Sequence, residues 1–257
     1  MKRYYFSGII HPARAPLTIQ ELGFKLGKLD GSPFATLKFS IVCNQVTCVV
    51  ECDSEDEDIF SLRNLVKSNI ETVISLVGFM KGYAYDIEIT KVFDEGCSFC
   101  WIFGIDLQAV ESIYSNVNND AEKLNEAINA IYHLCLMTEG IYLRRCLNDL
   151  RMSMRYLDDS AFYCFRAVET IKQYFGYITG AEKDGEQWLA MKNAVGGKKE
   201  DLDFVRKLAF PARHGAPTIT TEEDRGKIFT ITWSIVERFI NYRLEQLSSS
   251  YRLSSGA

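Results

Sequence analysis

The strongest constraint in this chain of 257 residues is an apolar series in its second half. Leu143, Leu147, Leu150, Met154, Leu157, Ala161, Cys164, Val168, Ile171 and Phe175 follow one another at alternating spacings of four and three. That spacing returns every side chain to one stripe of an α-helix. It predicts one continuous helix roughly 45–50 Å long, at about 1.5 Å of rise per residue. A stripe this narrow is buried by packing against other helices at a shallow angle. Residues 121–257 are therefore expected to form an α-helical bundle around one long helix. Ala121–Leu136 adds an earlier helix with Leu124, Ile128, Ile131 and Cys135 on one face. Gly176 and Gly180 close the long helix, and a shorter one around Gln187–Ala194 precedes Gly196-Gly197. Another runs from Glu200 to Ala209, because Pro211 pushes Phe210 out of the α region. The last starts at Thr220, with Glu223 at capping-box spacing, and carries Ile228, Ile231, Ile235, Phe239 and Tyr242.

The first hundred residues have a different period. Tyr4–Ile10 is a short apolar run suited to a strand, and Thr36–Val42 and Val46–Cys52 flank a turn at Asn44-Gln45. An acidic cluster, Asp53 to Asp58, opens a helical stripe from Ile59 to about Met80, with Ser54 and Glu57 at capping-box spacing. Tyr85, Ile87 and Ile89 alternate with polar residues as a strand, Asp94-Glu95-Gly96 turns the chain, and Cys97–Gly104 returns. The expectation is a small antiparallel or mixed sheet with one covering helix. Ser115-Asn116-Val117-Asn118-Asn119-Asp120 is the best linker. The fold class is therefore α+β in two domains, residues 1–115 and residues 121–257.

Charge divides in the same way. Residues 1–140 hold 11 Lys+Arg against 19 Asp+Glu, and residues 141–257 hold 18 against 15. The mildly basic second half tolerates a polyanion better than the first, although the overall net charge of −5 argues against indiscriminate nucleic-acid binding. No apolar run is long enough for a membrane span, and Tyr4-Tyr5-Phe6-Ser7-Gly8 after Met1-Lys2-Arg3 is no apolar export core. The eight cysteines therefore read as reduced thiols of a cytoplasmic protein.

Chemistry-bearing patterns are few. Cys97-Ser98-Phe99-Cys100 has metal-like spacing, but no second pair completes a four-ligand site, and residues three apart on a strand face opposite sides. These cysteines read as structural, and neither a metal nor a cofactor is expected. Gly196-Gly197-Lys198-Lys199 lacks the frame of a phosphate-binding loop. His11 and His133 have no neighbouring pattern of ligands or triad partners. His214 is different. Arg206, Lys207, Arg213 and His214 fall within nine residues, across a helix end and a Pro/Gly-rich loop. Imidazole exchanges protons near neutral pH, and guanidinium holds phosphate and offsets charge developing on it. Together they suffice for RNA cleavage without a metal, by attack of a ribose 2′-hydroxyl on the adjacent phosphate. A bland reading stands beside this one: cations at a helix C-terminus also suit the helix dipole, and a loop histidine often only bonds backbone.

Residues 140–247 resemble the HEPN superfamily, a helical-bundle fold found in prokaryotic ribonuclease toxins, defence proteins and non-catalytic relatives. The matching pieces are Phe165-Arg166-Ala167-Val168-Glu169 on the long helix, Arg206-Lys207 on a later one, and Arg213-His214-Gly215 before the last. The family motif is an arginine, usually followed by a polar residue, and a histidine after four to six intervening residues. Here seven residues separate Arg206 from His214, and six separate Lys207 from it. The motif is either stretched around Pro211 or degenerate. The resemblance implies a metal-independent endoribonuclease, with His214 as acid/base and Arg206 catalytic. Lys207 and Arg213 would bind the substrate phosphate, and Arg166 and Glu169 would support the loop. It also implies a homodimer with a composite cleft, an RNA substrate, and a toxin or antiviral setting in which an antitoxin or other protein partner is expected. The alternative it leaves open is a non-catalytic dimeric module that recognises a protein partner or small ligand.

Overall fold

The computed structural model describes residues 2–27, 33–52, 58–96, 98–104, 117, 119–216 and 220–254. The chain divides into two compact units, Met1–Gly104 and Ile105–Ala257. Half of the expected linker, and the capping pair Ser54/Glu57, lie outside the described residues.

The first unit is a six-stranded antiparallel sheet in the order β2-β3-β4-β1-β5-β6. Its strands are β1 (Lys2–His11), β2 (Ile19–Gly27), β3 (Pro33–Val42), β4 (Gln45–Cys52), β5 (Asp86–Asp94) and β6 (Phe99–Ile102). Alternation along β1 turns Tyr4, Phe6, Gly8 and Ile10 inward, and along β4 it turns Val46, Cys48, Val50 and Cys52. The register aligns Phe6, Cys48 and Phe39 across three strands, with Tyr4, Val50 and Leu37 beside them. Helix α1 (Ile59–Lys81) lays Leu62, Val66, Ile70 and Ile74 on this face, each side chain contributing roughly 1.5–3 kcal/mol by burial. Asp58 caps α1 by accepting from the Ser61 amide at 2.9 Å. Burial pushes the Cys48 thiol up to about 12, so it packs as a small hydrophobe. The β3–β4 turn centres on Cys43 and Asn44, both at positive φ, one residue earlier than expected. Strand β2 had no sequence signal strong enough to predict it. Gly8 stands at the β1–β5 bulge, where an added Cβ would meet the Glu88 carbonyl oxygen at 2.5 Å.

The second unit is helical throughout its described residues. Helix α2 (Ala121–Leu136) coincides with expectation, Asp120 capping it by accepting from the Glu122 and Lys123 amides. The long helix over Leu143–Phe175 does not exist. It is two helices, α3 (Gly140–Arg155) and α4 (Ser160–Thr179), with the chain leaving helical geometry at Tyr156. They form an antiparallel hairpin. Asp149 pairs with Arg166, Tyr142 meets Tyr174 and Tyr177, and Tyr156 meets Tyr163, contacts arranged about the turn. One continuous helix would leave its stripe facing water; folding back buries each half against the other for the loss of a few backbone hydrogen bonds. Asp158, Asp159 and Ser160 suit the turn and the new N-terminus.

Helix α4 is the centre of the unit. It packs against α3, α5 (Asp184–Val195), α6 (Lys199–Arg213) and α7 (Glu222–Ser254). Ala167, Val168, Ile171 and Phe175 form its core face, and Gly180 ends it in the left-handed region at φ 69°. Helix α6 continues past Ala209 through Pro211 to Arg213, contrary to expectation. The proline falls in the last turn, so the one bond it removes, to the Lys207 carbonyl, leaves the preceding turns intact. Helix α7 is the longest, and buries Ile228, Phe229, Ile235, Val236 and Phe239. Its cap is Thr221, whose hydroxyl accepts from the Asp224 amide at 3.1 Å, one residue later than the Thr220 expected.

Candidate active site at the end of α6

The end of α6 is closed by two backbone bonds. The Gly215 amide donates to the Ala212 carbonyl at 3.1 Å and the Ala216 amide donates to the Pro211 carbonyl at 3.0 Å, a Schellman closure. It requires a left-handed residue, and Gly215 supplies φ 74°. Pro211 and Gly215 together therefore set where His214 stands. Its ring is exposed and rests on Phe210, the centroids 4.4 Å apart. Among the described residues the His214 imidazole has no hydrogen-bonding or charged partner. Arg213 beside it reaches Glu169 on α4, with Nη1 3.5 Å from Oε1. Of the two expected supporting residues, Glu169 is thus tied to this turn. Arg213 remains about half exposed, at 54 %, so its guanidinium keeps donors free for a second anion.

Arg166 lies elsewhere. It donates from Nε and Nη2 to the two carboxylate oxygens of Asp149 on α3, the Nε bond being 3.0 Å. The rings of Phe162 and Tyr163 lie against its guanidinium at 5.2 and 4.9 Å. This carboxylate raises the Arg166 pKa further above its already high value. Its partners make Arg166 a fastener of the α3–α4 hairpin.

Arg206 and Lys207 are both exposed on α6. His214 lies eight positions after Arg206, about 12 Å along the helix axis at 1.5 Å per residue. Arg206 instead lines a groove of about 290 Å³ formed by α4, α5 and α6. It also contributes to holding the Asp184 carboxyl below the ordinary carboxylate range, an effect due first to the bond from Lys172. The cluster read from the sequence therefore separates into two places: Arg213, His214 and Glu169 at the helix end, and Arg206 in the groove two turns back. Asp149, Trp188 and Lys192 belong to no spaced motif, so no pattern in the sequence points to them.

No group of three or more metal-ligating side chains occurs among the described residues. Cys100 is exposed on β6, and Cys97 lies outside the described residues. His11 pairs with Glu88 at 3.4 Å. No helix among the described residues is long and apolar enough to cross a membrane.

Residues 4–102 match the N-terminal domain, and residues 128–244 the C-terminal domain, of a family described as domain of unknown function DUF8168. The chain carries both DUF8168 domains in order. The matched segments fall within the two compact units, so the DUF8168 N-terminal domain is the sheet with its helix and the C-terminal domain is the bundle holding His214. No curated protein and no solved structure matches the chain.

Proposed function

We propose that the DUF8168 C-terminal domain is a metal-independent endoribonuclease of the HEPN type, acting as a homodimer. The observation that carries this reading is the exposed imidazole of His214, without a hydrogen-bonding or charged partner among the described residues, beside Arg213 at a helix end fixed by Gly215 and Glu169. In the proposed reaction a ribose 2′-oxygen bonds to phosphorus and the bond from phosphorus to the 5′-oxygen breaks. One imidazole takes the 2′-hydroxyl proton, and a second, from the other copy, protonates the leaving 5′-oxygen. Arg213 offsets the charge on the non-bridging oxygens. Arg206 and Lys207, two turns back, hold the strand instead of the scissile phosphate. A toxin or antiviral role belongs to the same proposal.

The test is incubation of single-stranded RNA with the purified full chain in chelator. The expected products carry 2′,3′-cyclic phosphate and 5′-hydroxyl ends, and His214→Ala lowers the rate by about 10²–10⁴-fold. Intact RNA, or an unchanged rate in His214→Ala, refutes the reading. Expression is expected to arrest growth with the wild type and not with the variant.

The second reading is a non-catalytic dimeric module for a protein partner or small ligand. The separation of Arg206 from His214 along α6 favours it. Ligand-dependent stabilisation of the chain without any cleavage product would decide for it.

A further inference from the structure

The groove between α5 and α6 combines two kinds of wall. Phe165, Trp188, Leu189 and Leu202 give it an apolar floor. Lys192, Lys199 and Arg206 stand around it, with Asp203 on the lining and Asp184 against Trp188 and within reach of Arg206. Trp188 is held in place. Its ring stacks on Phe165 at 6.3 Å, the Lys172 ammonium lies 5.2 Å from its centroid, and that ammonium bonds Asp184 at 2.6 Å. Lys172 is a charged side chain buried to 5 % exposure, fixed where it supports the groove's aromatic wall. A preformed apolar floor with cations on its rim fits one ligand chemistry: a flat, largely apolar body carrying negative charge.

We propose that this groove binds one nucleotide unit, its base against Phe165, Trp188 and Leu189 and its phosphate on Lys192, Lys199 and Arg206. The cavity, at about 290 Å³, suits a mononucleotide and is too small for a folded partner. The unit is either part of a single-stranded RNA or a free nucleotide. An acidic peptide would use the cations and leave the aromatic floor idle. The site requires binding alone, so it goes beyond cleavage at His214 and does not depend on it.

The experiment is fluorescence anisotropy of a labelled 2′-O-methyl oligouridylate with the full chain. The methylated strand has no 2′-hydroxyl to attack, so binding is read without cleavage. Lys192→Glu and Lys199→Glu are each expected to weaken binding by roughly tenfold at moderate salt. Arg206→Gln is expected to lower the slope of affinity against salt by about one phosphate contact. Leu189→Glu, on the exposed floor, is expected to weaken binding as well, whereas Lys123→Glu on α2 leaves it unchanged. Thermal melts confirm that each variant is folded. Displacement of the strand by uridine monophosphate at millimolar concentration assigns the site to free nucleotides. Failure of the mononucleotide to displace it, with the variant effects intact, assigns the site to strands. The proposal is overturned if the groove variants bind like wild type. It is equally overturned if inorganic phosphate or an acidic peptide displaces the strand from the groove at millimolar concentration. Cleavage that persists in variants with unchanged strand binding would remove the groove and leave the His214 reading standing. Groove binding without cleavage would do the reverse.

Discussion

The ion pair between Asp149 and Arg166 gives a prediction whose asymmetry follows from burial. Asp149 is fully buried between α3 and α4, whereas a third of the Arg166 side chain reaches solvent. Arg166→Ala leaves a buried carboxylate with no counter-charge, a loss of about 3–5 kcal/mol for a broken buried pair. It also removes the ring contacts with Phe162 and Tyr163, worth about 0.5–1 kcal/mol. Asp149→Asn leaves a guanidinium that water still reaches and an amide that still accepts one of its bonds. Its cost is about 1–3 kcal/mol. The cation is therefore the costlier member to lose, although the acid is the more deeply buried. The Asp149→Leu/Arg166→Met double variant should fall near wild type, because apolar replacement removes both desolvation penalties. The assay is urea denaturation of the full chain at neutral pH, followed by tryptophan fluorescence. Trp188 and Trp233 report the C-terminal unit and Trp101 the N-terminal one. In thermal melts the Arg166→Ala loss corresponds to roughly 6–20 °C for a unit of this size. Equal losses in the two single variants, or a larger one in Asp149→Asn, would refute the reasoning.

Three further outcomes are expected. Glu169→Gln frees Arg213 at a half-exposed pair, so denaturant stability should change by less than about 1 kcal/mol while RNA cleavage falls; equal cleavage by the variant would show that Glu169 does not position Arg213. Gly215→Ala forces an L side chain to φ 74° with nothing within 4 Å of its Cβ, so its cost is conformational alone, about 1–2 kcal/mol by denaturation. Asp184→Asn tests a carboxyl whose pKa is lowered by Lys172. A lowered folded value means stability present above the unfolded value and lost as pH falls through the folded one. The melting difference between wild type and Asp184→Asn should therefore be open at pH 7 and close only as pH falls below the ordinary aspartate value of about 3.9; a gap that widens in acid would reverse the assignment.

Legibility followed the kind of signal each element carries. Strict alternation in β1 and β4 is a property of single residues against one face, so these strands could be read directly. Strand β2 was not readable, because Gln20-Glu21-Leu22-Gly23 breaks the alternation beside a register shift. The α3–α4 series was read correctly as an apolar stripe and wrongly as one helix. Periodicity reports which side chains share a face; it does not report whether the chain turns back between them. Four residues with neither glycine nor proline made the turn, and the gain that decides it comes from contact between the two halves. The same limit applies to Asp149, a charge within the stripe region that becomes intelligible only when Arg166 comes round to meet it.

The site shows what this limit does to function. Counting residues from Arg206 to His214 treats the segment between them as a loop whose length decides whether the two groups can meet. The helix instead runs on through Pro211, and a helix fixes the separation at about 1.5 Å per residue whatever the count along the chain. Arg206 is therefore carried two turns away, and seven residues on, near the same helix face, Arg213 takes its place beside the imidazole. Continuity of α6, then, leaves Arg213 beside His214 and puts Arg206 at the groove. If Pro211→Ala leaves both cleavage and strand binding unchanged, the helix is continuous without help from the proline's fixed φ. Because alanine restores the backbone N–H and propagates a helix better than proline, that is the expected outcome; cleavage that rises as groove binding falls would refute a continuous helix that keeps Arg206 from His214. Cleavage and strand binding measured on that one variant would separate the two roles assigned here to cations on a single helix.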